Sequence, residues 1–103
     1  MLYMAHGRLE EAVQHYRHAL RLDPYHFKAM TNLGTALAAS GQLEKAIPYF
    51  RAVVKLKPAN ADVQANLGIA LQRQGQHQQA EIHLRRALQI DPHHQKARHE
   101  MQK

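Results

Sequence analysis

The chain repeats itself every 34 residues, and that period restricts the possible folds more than any other feature of its 103 residues. Gly7, Gly41 and Gly75 stand one period apart, as do Ala12, Ala46 and Ala80, and likewise Pro24, Pro58 and Pro92. The pair Leu33-Gly34 returns as Leu67-Gly68, each time behind an asparagine. Tyr16, Phe50 and Leu84 keep a large apolar residue in one column, and Ala19, Val53 and Ala87 keep a small one in another. Chance does not align this many columns at one period.

Between the punctuating residues the apolar positions follow helical spacing. Phe27–Ser40 carries Met30, Leu33 and Leu37, and Leu43–Leu56 carries Ala46, Ile47, Phe50 and Val53. Val63–Gln74 and Gln78–Ile90 repeat that pair, and Leu9–Leu22 reads as the second helix of an earlier unit. Leu, Ala, Gln, Arg, Lys and Glu dominate the composition, and these are good helix formers. The sequence is therefore all-α. Gly34 and Gly68 interrupt helices, where glycine costs ~1 kcal/mol relative to alanine. A neighbouring helix lying too close for a Cβ explains them, with Ala12, Ala46 and Ala80 expected at the crossing. Gly7, Gly41 and Gly75 suit the left-handed residue that ends a helix. The three periodic prolines end one unit and open the next. Pro48, inside a helix, removes a backbone bond to Glu44 and predicts a bend there.

A 34-residue helix–turn–helix unit with these columns resembles the tetratricopeptide repeat (TPR) family over nearly the whole chain. The matching residues are Leu33, Gly34, Leu37, Ala46, Phe50, Val53 and Pro58, then Leu67, Gly68, Leu71, Ala80, Leu84, Ala87 and Pro92. The resemblance implies one domain, a right-handed α-solenoid of about two and two-thirds repeats. Its parts are a partial repeat (1–26), full repeats (27–60 and 61–94) and the start of a capping helix (95–103). Two positions depart from the pattern. Met30 and Gln64 stand where a large aromatic is often found, and His77 replaces the leucine of Leu9 and Leu43. Both are expected to weaken packing.

In this family the first helices of successive units line a concave groove that holds a peptide or a partner helix. The resemblance places Lys28, Thr31, Asn32, Thr35, Ala38 and Ala39 along it. The next unit adds Asp62, Ala65, Asn66, Ile69, Gln72 and Arg73, and the last helix adds Lys96, His99 and Glu100. Asn32 and Asn66 share one column and offer both donor and acceptor to a peptide backbone. Their repetition resembles the asparagine ladder in the TPR superhelix of O-linked N-acetylglucosamine transferase. A second family mode, the two-carboxylate clamp, maps poorly. Asn66 and Lys96 match it, but Thr31 and Thr35 replace its first two residues and Glu100 its arginine.

The formal charge of +6 suits acidic partners or salt-sensitive adhesion to nucleic acid. Arg17, Arg51 and Arg85 keep the 34-residue period on the second helices, hence on the convex side. Tyr16 and Phe50 are expected in the core rather than free to stack bases, which makes nucleic acid the weaker alternative. His15 and His18 lie three apart on one helix, but no cysteine or grouped carboxylate joins them, so no metal or other cofactor is expected. Ser40 is the only serine and no nucleophile–base pair or phosphate loop accompanies it. The expectation is a binding scaffold rather than an enzyme, its partner a protein or peptide. The alternative is a recruiting segment of a larger enzyme such as a glycosyltransferase.

The first unit begins in mid-helix, with Met1–His6 as the remnant of its first helix. The chain thus reads as a piece of a longer array or as one completed by a neighbour, including self-association at that end. No stretch reaches the ~18 apolar residues of a membrane span and the N-terminus does not resemble a signal peptide. A cytoplasmic location is expected, or a periplasmic one if the chain is an excised piece.

Overall fold

The computed structural model describes residues 2–102, with side chains from residue 8 onward. Six helices follow one another: α1 (Leu2–Leu22), α2 (Phe27–Ala39), α3 (Leu43–Leu56), α4 (Ala61–Arg73), α5 (His77–Ile90) and α6 (Gln95–Met101). Helices α2 with α3, and α4 with α5, form the two complete hairpins, stacked as an α-solenoid. Among the described residues there is no strand.

Two kinds of joint connect the helices, and each is written in the sequence at its own position. Within a hairpin the turn is left-handed at Gly41 (φ +84°) and Gly75 (φ +89°). The next amide then reaches back past the glycine: Gln42 donates to the Leu37 carbonyl at 2.8 Å and Gln76 to that of Leu71 at 2.9 Å. Nothing lies within 4 Å of where a Cβ would stand at either glycine, so the backbone angle, not space, selects the residue.

Between units the chain makes a tight turn with proline at its second position. The carbonyls of Asp23, Lys57 and Asp91 accept from the amides of His26, Asn60 and His94 at 3.1, 3.2 and 3.1 Å. The residue ending each turn caps the next helix. His26 Nδ1, Asn60 Oδ1 and His94 Nδ1 accept from the amides of Ala29, Val63 and Ala97 at 3.1, 3.1 and 3.2 Å. The periodic prolines thus stand just beyond the helix ends. The Asn60 cap also explains why α4 starts at Ala61, two residues before the apolar pattern does.

Gly7 does not end a helix, contrary to its column, since α1 runs through it unbroken. Glycine alone costs a helix only ~1 kcal/mol. At Gly41 and Gly75 the packing of one helix on the next adds what the glycine lacks. Met1, Lys103 and the side chains of residues 2–7 lie outside the described part of the chain.

The core runs along the seam between the helices. Leu33, Leu37, Ala46, Phe50, Leu67 and Leu71 form one cluster, and Ala65, Leu84, Ala87 and Ala97 a second beneath α6. The close approach at Gly34 and Gly68 is present, but the facing groups differ from the expected alanines. A Cβ at Gly34 would stand 2.8 Å from the Phe50 ring, and one at Gly68 would stand 2.8 Å from Leu84 Cγ. Ala46 and Ala80 are fully buried beside these contacts, and only the Ala80 carbonyl, 3.2 Å from the Gly68 position, faces a glycine directly. Pro48 is accommodated inside α3.

Gln64 corrects a second expectation. Rather than a weak spot, it is a buried amide with 3% exposure whose polar atoms are both engaged. Its Nε2 donates to the Pro58 carbonyl at 2.9 Å, and its Oε1 accepts from His83 Nδ1 at 2.8 Å. One side chain thereby fastens α4 to α5 and to the turn between units. His77, by contrast, is exposed at the start of α5 and adds nothing to the core.

Candidate functional site

A groove of about 340 Å³ runs between α2, α4 and α6, with the α3 side chains Leu43 and Phe50 beneath it. Helix α2 contributes Thr35, Ala38 and Ala39, and α4 contributes Asn66, Ile69, Ala70 and Arg73. The third wall is Lys96, His99 and Glu100 of α6. The floor is apolar and the rim is polar, with Arg73 and Lys96 as its fixed cations.

Nine of the fifteen expected groove residues are therefore brought together: Thr35, Ala38, Ala39, Asn66, Ile69, Arg73, Lys96, His99 and Glu100. Thr31, Asp62 and Asn66 border an adjoining hollow of about 540 Å³ with His93, His94 and Lys96, so Asn66 links the two spaces. Lys28 and Asn32 are exposed on α2 and border neither cavity. Asn66 has α2 on one side and α6 on the other, and a cavity needs both walls. Ala65 does not line the groove at all: its exposure is 0%, because Ala97 of α6 packs over it.

The polar atoms are not equally available. Thr31 and Thr35 donate their hydroxyls to the Phe27 and Thr31 carbonyls one turn back, at 2.8 and 2.9 Å, leaving oxygen lone pairs for a ligand. Asp62 accepts from His94 Nε2 at 2.6 Å, so it is partly spent holding the start of α6. Since His94 Nδ1 accepts from the Ala97 amide, the proton of the neutral ring sits on Nε2, toward Asp62. The histidine thus caps α6 and ties it to α4 at once. No sequence motif assigns it this role. The one signal available was its column, shared with Asn60, a good capping residue.

On the side away from the groove, Arg51 donates to Gln79 Oε1 at 3.1 Å and Arg85 pairs with Glu81. His83, half-buried between them, is held below the usual histidine pKa, first by burial and then by the charges of Arg86 and Arg51. Among the described residues, no three histidine, cysteine or carboxylate side chains are grouped to hold a metal ion. Among the same residues, no helix is long and apolar enough to cross a membrane.

Solved structures share this fold. YrrB, described as a TPR protein with an unusual peptide-binding site, matches with a TM-score of 0.86 and 27% identity. That match covers 94% of this chain and 50% of YrrB. MamA from Desulfovibrio magneticus RS-1 matches with a TM-score of 0.82 and 31% identity, over 88% of this chain and 51% of MamA. The first TPR of Spaghetti (RPAP3), bound to the HSP90 peptide SRMEEVD, has a TM-score of 0.88 over 97% of this chain and 79% of its own. At 22% identity, that likeness speaks to the fold alone. The chain spans about half the length of YrrB and MamA. No curated protein sequence matches it. The family model for the tetratricopeptide repeat matches twice, over residues 1–61 and 31–94, the two spans together taking in both hairpins. With the 34-residue columns, the left-handed glycine turns and the glycine crossings all in place, the chain belongs to the tetratricopeptide repeat family.

Proposed function

We propose that this chain is a protein-interaction scaffold that holds an extended segment of a partner polypeptide in the α2–α4–α6 groove. The observation that carries this reading is the groove itself. An apolar floor of Ala38, Ala39 and Ile69 is flanked by an amide, Asn66, and two cations, Arg73 and Lys96. Asn66 can accept from and donate to one peptide unit whatever its side chain, which suits a strand laid along the groove. Arg73 and Lys96 favour an acidic side chain beside an apolar one that sits on Ile69. Glu100 at the far rim selects against a second carboxylate there. Asn32 and Lys28 extend the same wall outward as secondary contacts. The peptide-binding site named for YrrB, 27% identical, supports the same use of the fold.

The test is selection of binders from a random peptide library on the wild-type chain, followed by affinity measurements on variants. Asn66→Ala and Arg73→Ala should each weaken the selected peptides by about ten-fold, the scale of a hydrogen bond to a charged group. Asn32→Ala should weaken them less, and all three should keep the wild-type circular dichroism spectrum. Selected peptides indifferent to Asn66 and Arg73 would place binding elsewhere.

A further inference from the structure

A wider concavity, of about 750 Å³, lies away from the groove, between α1 and α3. Arg17, Arg21, His15 and His18 of α1 line it, together with Gln14 and Tyr49. No carboxylate does. Glu10 borders the adjoining cleft between α1 and the α2–α3 turn, which Gln14 and Arg17 line as well. Neither Arg17 nor Arg21 has an ion-pair partner among the described residues.

The repeat explains why this charge is left over. One unit further on, Arg51 donates to Gln79, 28 residues ahead of it. The residue 28 ahead of Arg17 is Lys45, which carries only N–H groups and cannot accept. Where the second junction closes with a hydrogen bond, the corresponding position of the first offers Arg17 no acceptor. The third arginine of the column, Arg85, is paired with Glu81. The periodic basic column is therefore not an even track along the solenoid. Its unmatched charge is concentrated at the α1–α3 junction.

We infer that the α1–α3 cleft is a docking site for a phosphoryl group borne on a partner polypeptide. Two guanidiniums lining one cleft, Arg17 and Arg21, exceed what one carboxylate neutralises and suit a dianion, and the repeat column adds Lys45 as a third cation on α3. The two guanidiniums, one helical turn apart, present forked donors to the same group, and the Tyr49 hydroxyl and Gln14 amide supply further donors for its oxygens. A phosphate at Arg17 supplies the acceptor that Gln79 provides to Arg51 next door. A nucleic-acid strand fits less well, because the charge is local and Tyr49, half-buried against the core, offers no free face for a base. This surface is independent of the groove.

The experiment is a heteronuclear NMR titration of the full chain with three probes. They are a short glycine-rich peptide bearing one phosphoserine, inorganic phosphate, and a single-stranded oligonucleotide. The phosphopeptide should shift the amides of residues 14–21 and Tyr49, and its unphosphorylated form should not. R17Q and R21Q should each weaken it by about ten-fold. K45Q, which gives Arg17 an acceptor of its own, should weaken it as well, whereas K55Q on the neighbouring surface should leave it unchanged. Three results would overturn the inference. One is no localised shift with the phosphopeptide, or equal loss on K55Q. Another is binding of inorganic phosphate as tight as that of the phosphopeptide, which would make this a free-anion site. The third is tight binding of the oligonucleotide alone.

Discussion

Adding one methyl group at Gly68 tests the packing of α4 on α5 directly. In a helix interior, Gly→Ala normally stabilises by up to ~1 kcal/mol, because alanine restricts the unfolded chain and favours the helix. Here the new Cβ would stand 2.8 and 2.9 Å from Leu84 Cγ and Cδ2 and 3.2 Å from the Ala80 carbonyl oxygen. Leu84 is buried to 2% exposure, and the carbonyl cannot retreat without moving α5 itself. Overpacking of this kind costs about 1–3 kcal/mol, and a backbone contact puts it in the upper half of that range. The net expectation is a loss of about 1–2 kcal/mol, each kcal/mol lowering Tm by roughly 4–8 °C in a domain of this size. Urea unfolding followed by far-UV circular dichroism measures it. Leu84→Ala alone should cost about 2–5 kcal/mol. Combined with Gly68→Ala, the total should fall short of the sum by about 1 kcal/mol, since the added methyl enters the space that Leu84 leaves. A Gly68→Ala protein as stable as the wild type would refute the close approach. Strict additivity with Leu84→Ala would show that Leu84 is not the obstacle.

Two further outcomes follow from the histidines. His83 is held below its ordinary value of 6.5, so the folded chain favours the neutral ring. The resulting stability is present above about pH 6.5 and is lost as pH falls through the lower folded value. His83→Gln should flatten that part of the stability–pH curve, and an unchanged slope would count against it. His94→Ala removes the α6 cap, worth about 1 kcal/mol, together with the bond to Asp62, so α6 amides should exchange faster with solvent. His94→Asn keeps the cap, as Asn60 does at α4, and should exchange more slowly than the alanine variant. Equal exchange in the two would deny the cap its role.

Most of the fold could be read from columns because each column has one local cause. Left-handed turns require Gly41 and Gly75, unit boundaries require Pro24, Pro58 and Pro92, and close crossings require Gly34 and Gly68. Gly7 shows the limit of that reasoning. Its residue type is right, but a turn also needs helices packed on both sides, and that is a tertiary fact. The groove shows the same division. Thr35, Asn66, Ile69 and Arg73 face the cavity by helical phase alone. Asn32 has the same phase as Asn66 yet borders no cavity, and Ala65 is covered by α6. Phase assigns a direction to a side chain but does not say what stands opposite. Gln64 and His83 were opaque for a related reason. Gln64 departs from its column and His83 belongs to none of the columns that define the repeat, and only their pairing across α4 and α5 gives either a purpose.

That pairing bears on how the chain avoids misfolding. Two hairpins with matching cores invite the pairing of α4 with α3, or of α2 with α5, since apolar contacts alone would be nearly as good with the helix one unit away. Gln64 and His83 break this degeneracy. Shifted by 34 residues, Gln64 would meet Tyr49 and His83 would meet Met30. Of these, the thioether of Met30 can scarcely answer the imidazole, and a buried amide would lose the neutral ring that now satisfies it. The two hairpins therefore resemble each other without being interchangeable. A single polar contact across α4 and α5 marks which one comes second.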